Sequence, residues 1–149
     1  MIETSQAIRT YLSQQKVMTL AYVDSAGPGA CAIWFALSAD LDIFFLSSPR
    51  TRHGVALIDG GPVAVTVQKD DQPWRSIQGI QGTGYCARVP NMQLDSAWQT
   101  YSVRYPFVLQ PFGTIAAALA SVTLWSVKLN WLRLIDNTKG FGHKEEISL

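Results

Sequence analysis

Cysteine and histidine are scarce in this 149-residue chain, at two residues each. Cys31 and Cys86 both lie in apolar, strand-like runs without Cys-x-x-Cys or Cys/His spacing, which leaves little support for a metal site or a thiol nucleophile. An excess of one charge is lacking too. The 12 Lys and Arg residues stand against 11 Asp and Glu, for a net charge of +1, and the basic residues are scattered, so no nucleic-acid surface is expected. The N-terminus, MIETSQAIRTYL, has no basic start followed by an apolar core, and a cytoplasmic protein is expected. From Tyr105 to Val127 there is no charged residue, a length that could span a bilayer. Pro106, Gln110, Pro111, Gly113, Ser121 and Thr123 interrupt that run, and its end alternates in a β-branched pattern, so burial in protein is expected and no membrane span.

What is present is 48% hydrophobic residues with only 15% charged, enough to build one packed domain over residues 1–149. Ile8, Tyr11 and Leu12 form one stripe of an opening helix over Glu3 to Lys16, capped by Thr4 or Ser5. Val17 to Asp24 reads as a strand apolar on both faces, and hence covered on both sides. Its hairpin partner is Ala30 to Leu37, across a turn at Ser25 to Gly29. One face of that partner, Ala30-Ala32-Trp34-Ala36, is small side chains around a single Trp. Such a face leaves room for something flat, although close packing against a helix would give the same pattern.

Further strands are expected at Asp42 to Leu46, at Pro62 to Gln68 with Val63, Val65 and Val67 on one face, over Trp74 to Val89, and from Val122 to Ile135. Glycines 79, 82 and 84 in the third of these predict coiling or a bulge. A helix from Pro90-Asn91 carries the stripe Leu94, Ala97, Trp98, Tyr101 and Tyr105, and a short one covers Thr114 to Leu119. The glycine-punctuated tail Asp136 to Lys144 reads as a flexible terminus or as an arm over a site or a second subunit. About six strands at hairpin spacing make the fold class mainly β (α+β), a six-stranded antiparallel split β-barrel with appended helices.

The stretch that draws functional attention is Ser47-Ser48-Pro49-Arg50-Thr51-Arg52-His53, between a buried strand and a helix starting at Arg52 and stopped by Gly60-Gly61-Pro62. It gathers hydroxyls, two guanidinium groups and an imidazole where a chain turn meets a helix start, a combination suited to phosphate oxygens. No carboxylate lies between Asp42 and Asp59 to neutralise these cations locally. The plain alternative is a solvated arginine pair beside a Thr51 or Ser48 helix cap.

This order of parts, with the valine strand and the IQGIQGTGY strand, resembles the small FMN-binding split-barrel proteins related to pyridoxamine 5'-phosphate oxidase. Thr51-Arg52-His53, Tyr101 to Pro106 and Asn137 to Lys144 resemble a small bacterial branch of them. The resemblance implies a homodimer with FMN at the subunit interface and a small-molecule electron donor and acceptor. It implies phosphate contacts from Ser48, Arg50, Thr51, Arg52 and His53, and ring contacts from Ala32, Ile33, Trp34, Leu46, Ser47 and, from the long strand, Gln81. The wider family has Lys and an Asn-Leu pair where this chain has His53-Gly54-Val55-Ala56-Leu57, and the substrate-phosphate grip of pyridoxamine phosphate oxidases is not evident, so that activity is not expected. A flavin-dependent oxidoreductase without an assigned catalytic residue is the leading expectation. The alternatives are a non-catalytic flavin carrier or sensor, a haem- or deazaflavin-binding barrel, and an unliganded dimeric scaffold; His143 is the ligand to test for haem.

Overall fold

A computed structural model describes residues 2–109 and 114–149, the side chains of 114–116 excepted. Eight strands form one antiparallel sheet: β1 (Val17–Asp24), β2 (Gly27–Trp34), β3 (Ala36–Leu37), β4 (Ile43–Ser47), β5 (Gly61–Gln68), β6 (Gln78–Arg88), β7 (Thr123–Asp136) and β8 (Lys144–Ser148). Their order is β2-β1-β5-β6-β7-β4-β3, with β8 paired to β7. This is the expected split barrel with a different strand count. The expected second strand, Ala30 to Leu37, breaks at Phe35 into β2 and β3, and the tail supplies β8.

The break at Phe35 makes the split. Its N–H donates to the Lys16 carbonyl, and the next residues pair with β4 rather than β1, as Ala36 with Phe44 and Leu37 with Ile43. β2 thus stays on β1 while β3 crosses to β4, and the sheet curls round. The helix α2 (Arg52–Ala56), which follows β4, packs on β1 and β2.

Burial follows the alternation on one side of the sheet. Met18, Leu20 and Tyr22 of β1, Val63, Val65 and Val67 of β5, and Phe45 of β4 point inward, joined by Ile8, Tyr11 and Leu12 from α1 (Ile2–Ser13). The stripe of α1 is as expected, but the helix starts before Thr4, whose hydroxyl instead donates to Glu145 of β8 at 3.2 Å. A second cluster lies between the sheet and α3 (Asn91–Arg104), with Ala97, Tyr101, Tyr105 and Val108 against Ala36, Val89 and Leu124. Leu94, expected in that stripe, lies at the exposed start of the helix.

Two corrections have clear causes. Trp74 to Ser76 is a 3₁₀ turn rather than strand, because the Gln72 side chain bonds the N–H and carbonyl of Gln78 and fixes the entry into β6 there. The glycine-rich β6 does carry a bulge, between Thr83 and Gly84, where a Cβ on Gly84 would lie 2.4 Å from the Lys128 carbonyl oxygen. The tail residues 137–143 make a tight turn in which Asn137 accepts from Gly142 N–H at 2.9 Å, so β8 returns along β7 instead of remaining loose. The charge-free run contains α4 (Thr114–Ala120) and the start of β7; residues 110–113 lie outside the described residues. No helix among the described residues is long and apolar enough to cross a membrane.

Candidate functional site

The turn after β4 is built by its own hydroxyls. Thr51 caps α2, donating to the Ser48 carbonyl at 2.8 Å and accepting from Gly54 N–H at 3.0 Å, while Ser48 Oγ accepts from Arg50 N–H at 3.2 Å. Of the two expected caps, Thr51 is therefore the one used. Gly54 follows from the same tight fold, since a Cβ there would lie 2.5 Å from the Ser48 carbonyl oxygen.

Behind the cap, Ser47 Oγ lies 2.5 Å from His53 Nε2, and the Ser47 carbonyl accepts from Trp125 Nε1 at 3.0 Å. His53 is half-buried with its ring 6.1 Å from that of Tyr22, and burial holds its pKa below the ordinary imidazole value. A neutral ring accepts from the Ser47 hydroxyl at Nε2 in its Nδ1–H tautomer and donates to Ser47 Oγ in its Nε2–H tautomer.

Arg52 differs from the sequence expectation. Asp24, at the end of β1, takes it from the side: Nε to Oδ2 at 2.8 Å and Nη2 to Oδ1 at 3.1 Å. Nη2 also approaches the carbonyls of Gly27 and Pro28 at 3.3 and 3.4 Å, and the guanidinium lies 5.5 Å from the centre of the Tyr22 ring. The hydrogen bond to Arg52 holds the Asp24 carboxyl below its ordinary value and raises Arg52 in turn. The expected local absence of a carboxylate holds along the chain but not in space, because α2 packs on β1 and β2 and brings Arg52 to Asp24 at their hairpin turn. Neither Asp24 nor Tyr22 was foreseen, and no local signal marks a residue 28 positions away. Arg50 is exposed, and its side chain has no carboxylate partner among the described residues.

The other nominated residues fall on two surfaces. Ala32 lies on the outer face of β2, in a cross-strand row that reads Ala32, Thr19, Thr66, Gln81, Arg133. Gln81 is in that row, its Oε1 accepting from Arg133 Nη1 at 3.3 Å. Three strand spacings put it about 14 Å from Ala32, so the two do not meet the same small group within one chain. Trp34 is 48% exposed, stacked on Tyr105 at 5.2 Å and 17°, with the Lys16 ammonium 6.0 Å from its ring centre. Leu46 packs on the α3 cluster that contains Tyr105, and Ile33 leans on the barrel core. The structure thus joins Ser47, Ser48, Arg50, Thr51, Arg52 and His53 in one turn, sets Ala32 and Trp34 on the neighbouring open strand, and leaves Gln81 apart.

The outer face of β2, β1 and β5 is small and apolar, with Ala30, Ala21 and Ala64 in one row, and it lies open in the single chain. The larger clefts are elsewhere, one of about 580 Å³ between α1, β3 and α3, another of about 700 Å³ along α1 and β7.

This arrangement can be set beside known proteins. No protein-family model matches the chain. The UPF0306 protein YhbP of Escherichia fergusonii is 30% identical over 145 residues, covering 96% of this chain and 92% of that protein. The chain belongs to the UPF0306 family. Among solved structures, a heme binding protein from Mycobacterium smegmatis superposes with a TM-score of 0.74 at 15% identity, over 94% of this chain and 55% of that longer one. An FAD binding protein from the same organism does so with a TM-score of 0.68 at 12% identity, over 97% and 96%. This UPF0306 chain therefore has the split-barrel fold of those flavin- and haem-binding proteins.

Proposed function

We propose that the chain binds FMN and works as a flavin-dependent oxidoreductase, a cytoplasmic homodimer with the cofactor at the subunit interface. The observation that supports this most is Arg50: an exposed guanidinium without a carboxylate partner among the described residues, at a turn whose backbone is fixed by Thr51 and Ser48. The helix that follows it packs on β1 and β2, whose outer face carries the small side chains of Ala21, Ala30 and Ala32. The residues present fit a flavin phosphate at Arg50 and Ser48, and a flat ring against Ala32 and Trp34. Bound FMN supplies a ring that accepts and returns electrons.

The chain's own share is to bind and orient. The Ser47–His53 pair is neutral and closes the inner side of the turn, and Trp34, backed by Tyr105, gives a stiff wall. A ligand of this size is ordinarily enclosed over most of its surface, and the face in question is open in one chain, which supports a second copy as its cover. Haem has poorer support. Cys86 is buried in the barrel core, and His53 Nε2 already meets Ser47 Oγ.

The test is a visible spectrum of the purified protein after incubation with FMN and removal of the excess, beside Arg50→Ala. Retention by wild type and loss in the variant is expected, followed by bleaching with NADH or NADPH and recovery with an acceptor. Retained flavin that no donor reduces supports a carrier or sensor instead. No retained flavin, with a haem band that His143→Ala abolishes, replaces the reading by a haem protein.

A further inference from the structure

We propose that Asp24 is a built-in counter-anion of the turn: it occupies the side of Arg52 that a ligand phosphate would otherwise take, and thereby sets the anion affinity of the site. This rests on the reading of the turn as a phosphate site.

The geometry of the guanidinium carries the argument. A carboxylate or phosphate binds Arg most strongly through two parallel N–H bonds, and the Nε/Nη2 edge of Arg52 already makes that pair with Asp24, at 2.8 and 3.1 Å. The second Nη2 hydrogen faces the Gly27 and Pro28 carbonyls, and Tyr22 lies 5.5 Å from the guanidinium. Only Nη1 is left without a described partner. Asp24 is itself held, because its Oδ1 accepts from Ala26 N–H at 2.9 Å across the hairpin turn. The pair is not needed to start α2, which Thr51 caps without help. Of the charges at the turn, Arg50 and Arg52 sum with Asp24 to one net positive charge, and among the described residues Arg50 is the cation of the turn without a carboxylate partner.

A phosphate arriving at Arg50 therefore meets a carboxylate on the neighbouring arginine. It either binds through Arg50 and Ser48 against that repulsion or exchanges with Asp24 on Arg52, which frees the hairpin end. Both routes make Asp24 lower the affinity, and both predict that a neutral side chain of the same shape raises it.

The experiment titrates the full-length protein with FMN and, separately, with inorganic phosphate, at low ionic strength where charge effects are least screened. Asp24→Asn keeps the acceptor for Ala26 N–H and removes the charge. It is expected to tighten both ligands by on the order of fivefold to tenfold, and the gain shrinks when Arg52→Ala is added. In wild type, an Arg52 Nε–H resonance that saturating phosphate shifts, with faster amide exchange at Ala26, supports the proposal by the exchange route, and tighter binding in Asp24→Asn without that shift supports it by the route through Arg50 and Ser48. Unchanged or weaker binding in Asp24→Asn overturns the proposal. If Asp24→Asn gains phosphate affinity while neither protein retains FMN, the counter-anion stands and the flavin reading falls. If wild type holds FMN and Asp24→Asn holds it no better, the flavin reading stands and the counter-anion falls.

Discussion

The two faces of strand β1 are alike in sequence and opposite in fate. Met18, Leu20 and Tyr22 point into the barrel and are buried, whereas Val17 and Val23, on the other side of the same strand, are 45% and 72% exposed. Ala21 and Thr19 between them continue into Ala30, Ala32 and Ala64 on neighbouring strands. A chain of this size has one barrel interior, and that interior takes only one face. The outer face carries apolar residues that nothing in the single chain covers, and it is the face that the proposed second copy would bury. Arg133 and Glu146, paired at 2.6 Å, mark where the polar rim begins.

The sharpest test of the difference is a pair of substitutions on the two faces. Phe45, fully buried and stacked on Trp125 with centroids 6.2 Å apart, belongs to the inner set. Phe45→Ala should cost about 3–5 kcal/mol by chemical denaturation, since the cavity cannot close within a curled sheet. Ala21→Glu on the outer face should leave the unfolding of the single chain within about 0.5 kcal/mol of wild type. It should nonetheless convert a dimer to monomer in sedimentation, because it buries an unpaired carboxylate at the contact. A monomeric wild type, or an Ala21→Glu protein that still sediments as a dimer, breaks the comparison.

That contrast also shows how far the sequence could be read. The alternation of β1, β5 and β7 and the stripes of α1 and α3 gave the barrel, since hydrophobic period and turn residues are local properties. The expected covering of β1 on both sides is not met in the single chain, where Val17 and Val23 on the outer face are exposed. β8 escaped because Lys144, Glu145 and Glu146 look like a solvated tail; their pairing to β7 is fixed by the Asn137–Gly142 turn rather than by apolar pattern. At the turn, Thr51 as a cap was legible from its place before Arg52. The partner of Arg52 was not, because Asp24 reaches it through the folding of the barrel and not along the chain.

At the edge where the two faces meet, smaller effects are expected. Thr51→Ala removes the acceptor for Gly54 N–H and the donor to Ser48, and should cost about 1 kcal/mol of stability. It should also loosen the presentation of Arg50, so that any phosphate affinity falls although no cation has been removed. Full stability in Thr51→Ala would mean that Gly54 and Pro49 packing alone hold the turn.

The smallest effect is a pH slope, and the pH range in which it appears separates half-buried His53 from the exposed carboxyls. Burial keeps the folded-state value of His53 below the unfolded value of about 6.5, so the unfolded chain takes up this proton first as pH falls. The stability tied to neutral His53 is therefore complete above about pH 6.5 and is lost as pH drops through the folded value. The carboxyls of Asp24, Glu145 and Glu146, held low by hydrogen bonds to Arg52, Lys139 and Arg133 on the exposed side, give up their share only further down, below about pH 4. Denaturation midpoints measured between the two ranges should fall with pH in wild type and run nearly flat in His53→Gln, whose amide can still meet the Ser47 hydroxyl. An unchanged slope in the variant would mean that His53 takes its proton in the folded protein as readily as in the open chain, and that burial does not hold it neutral.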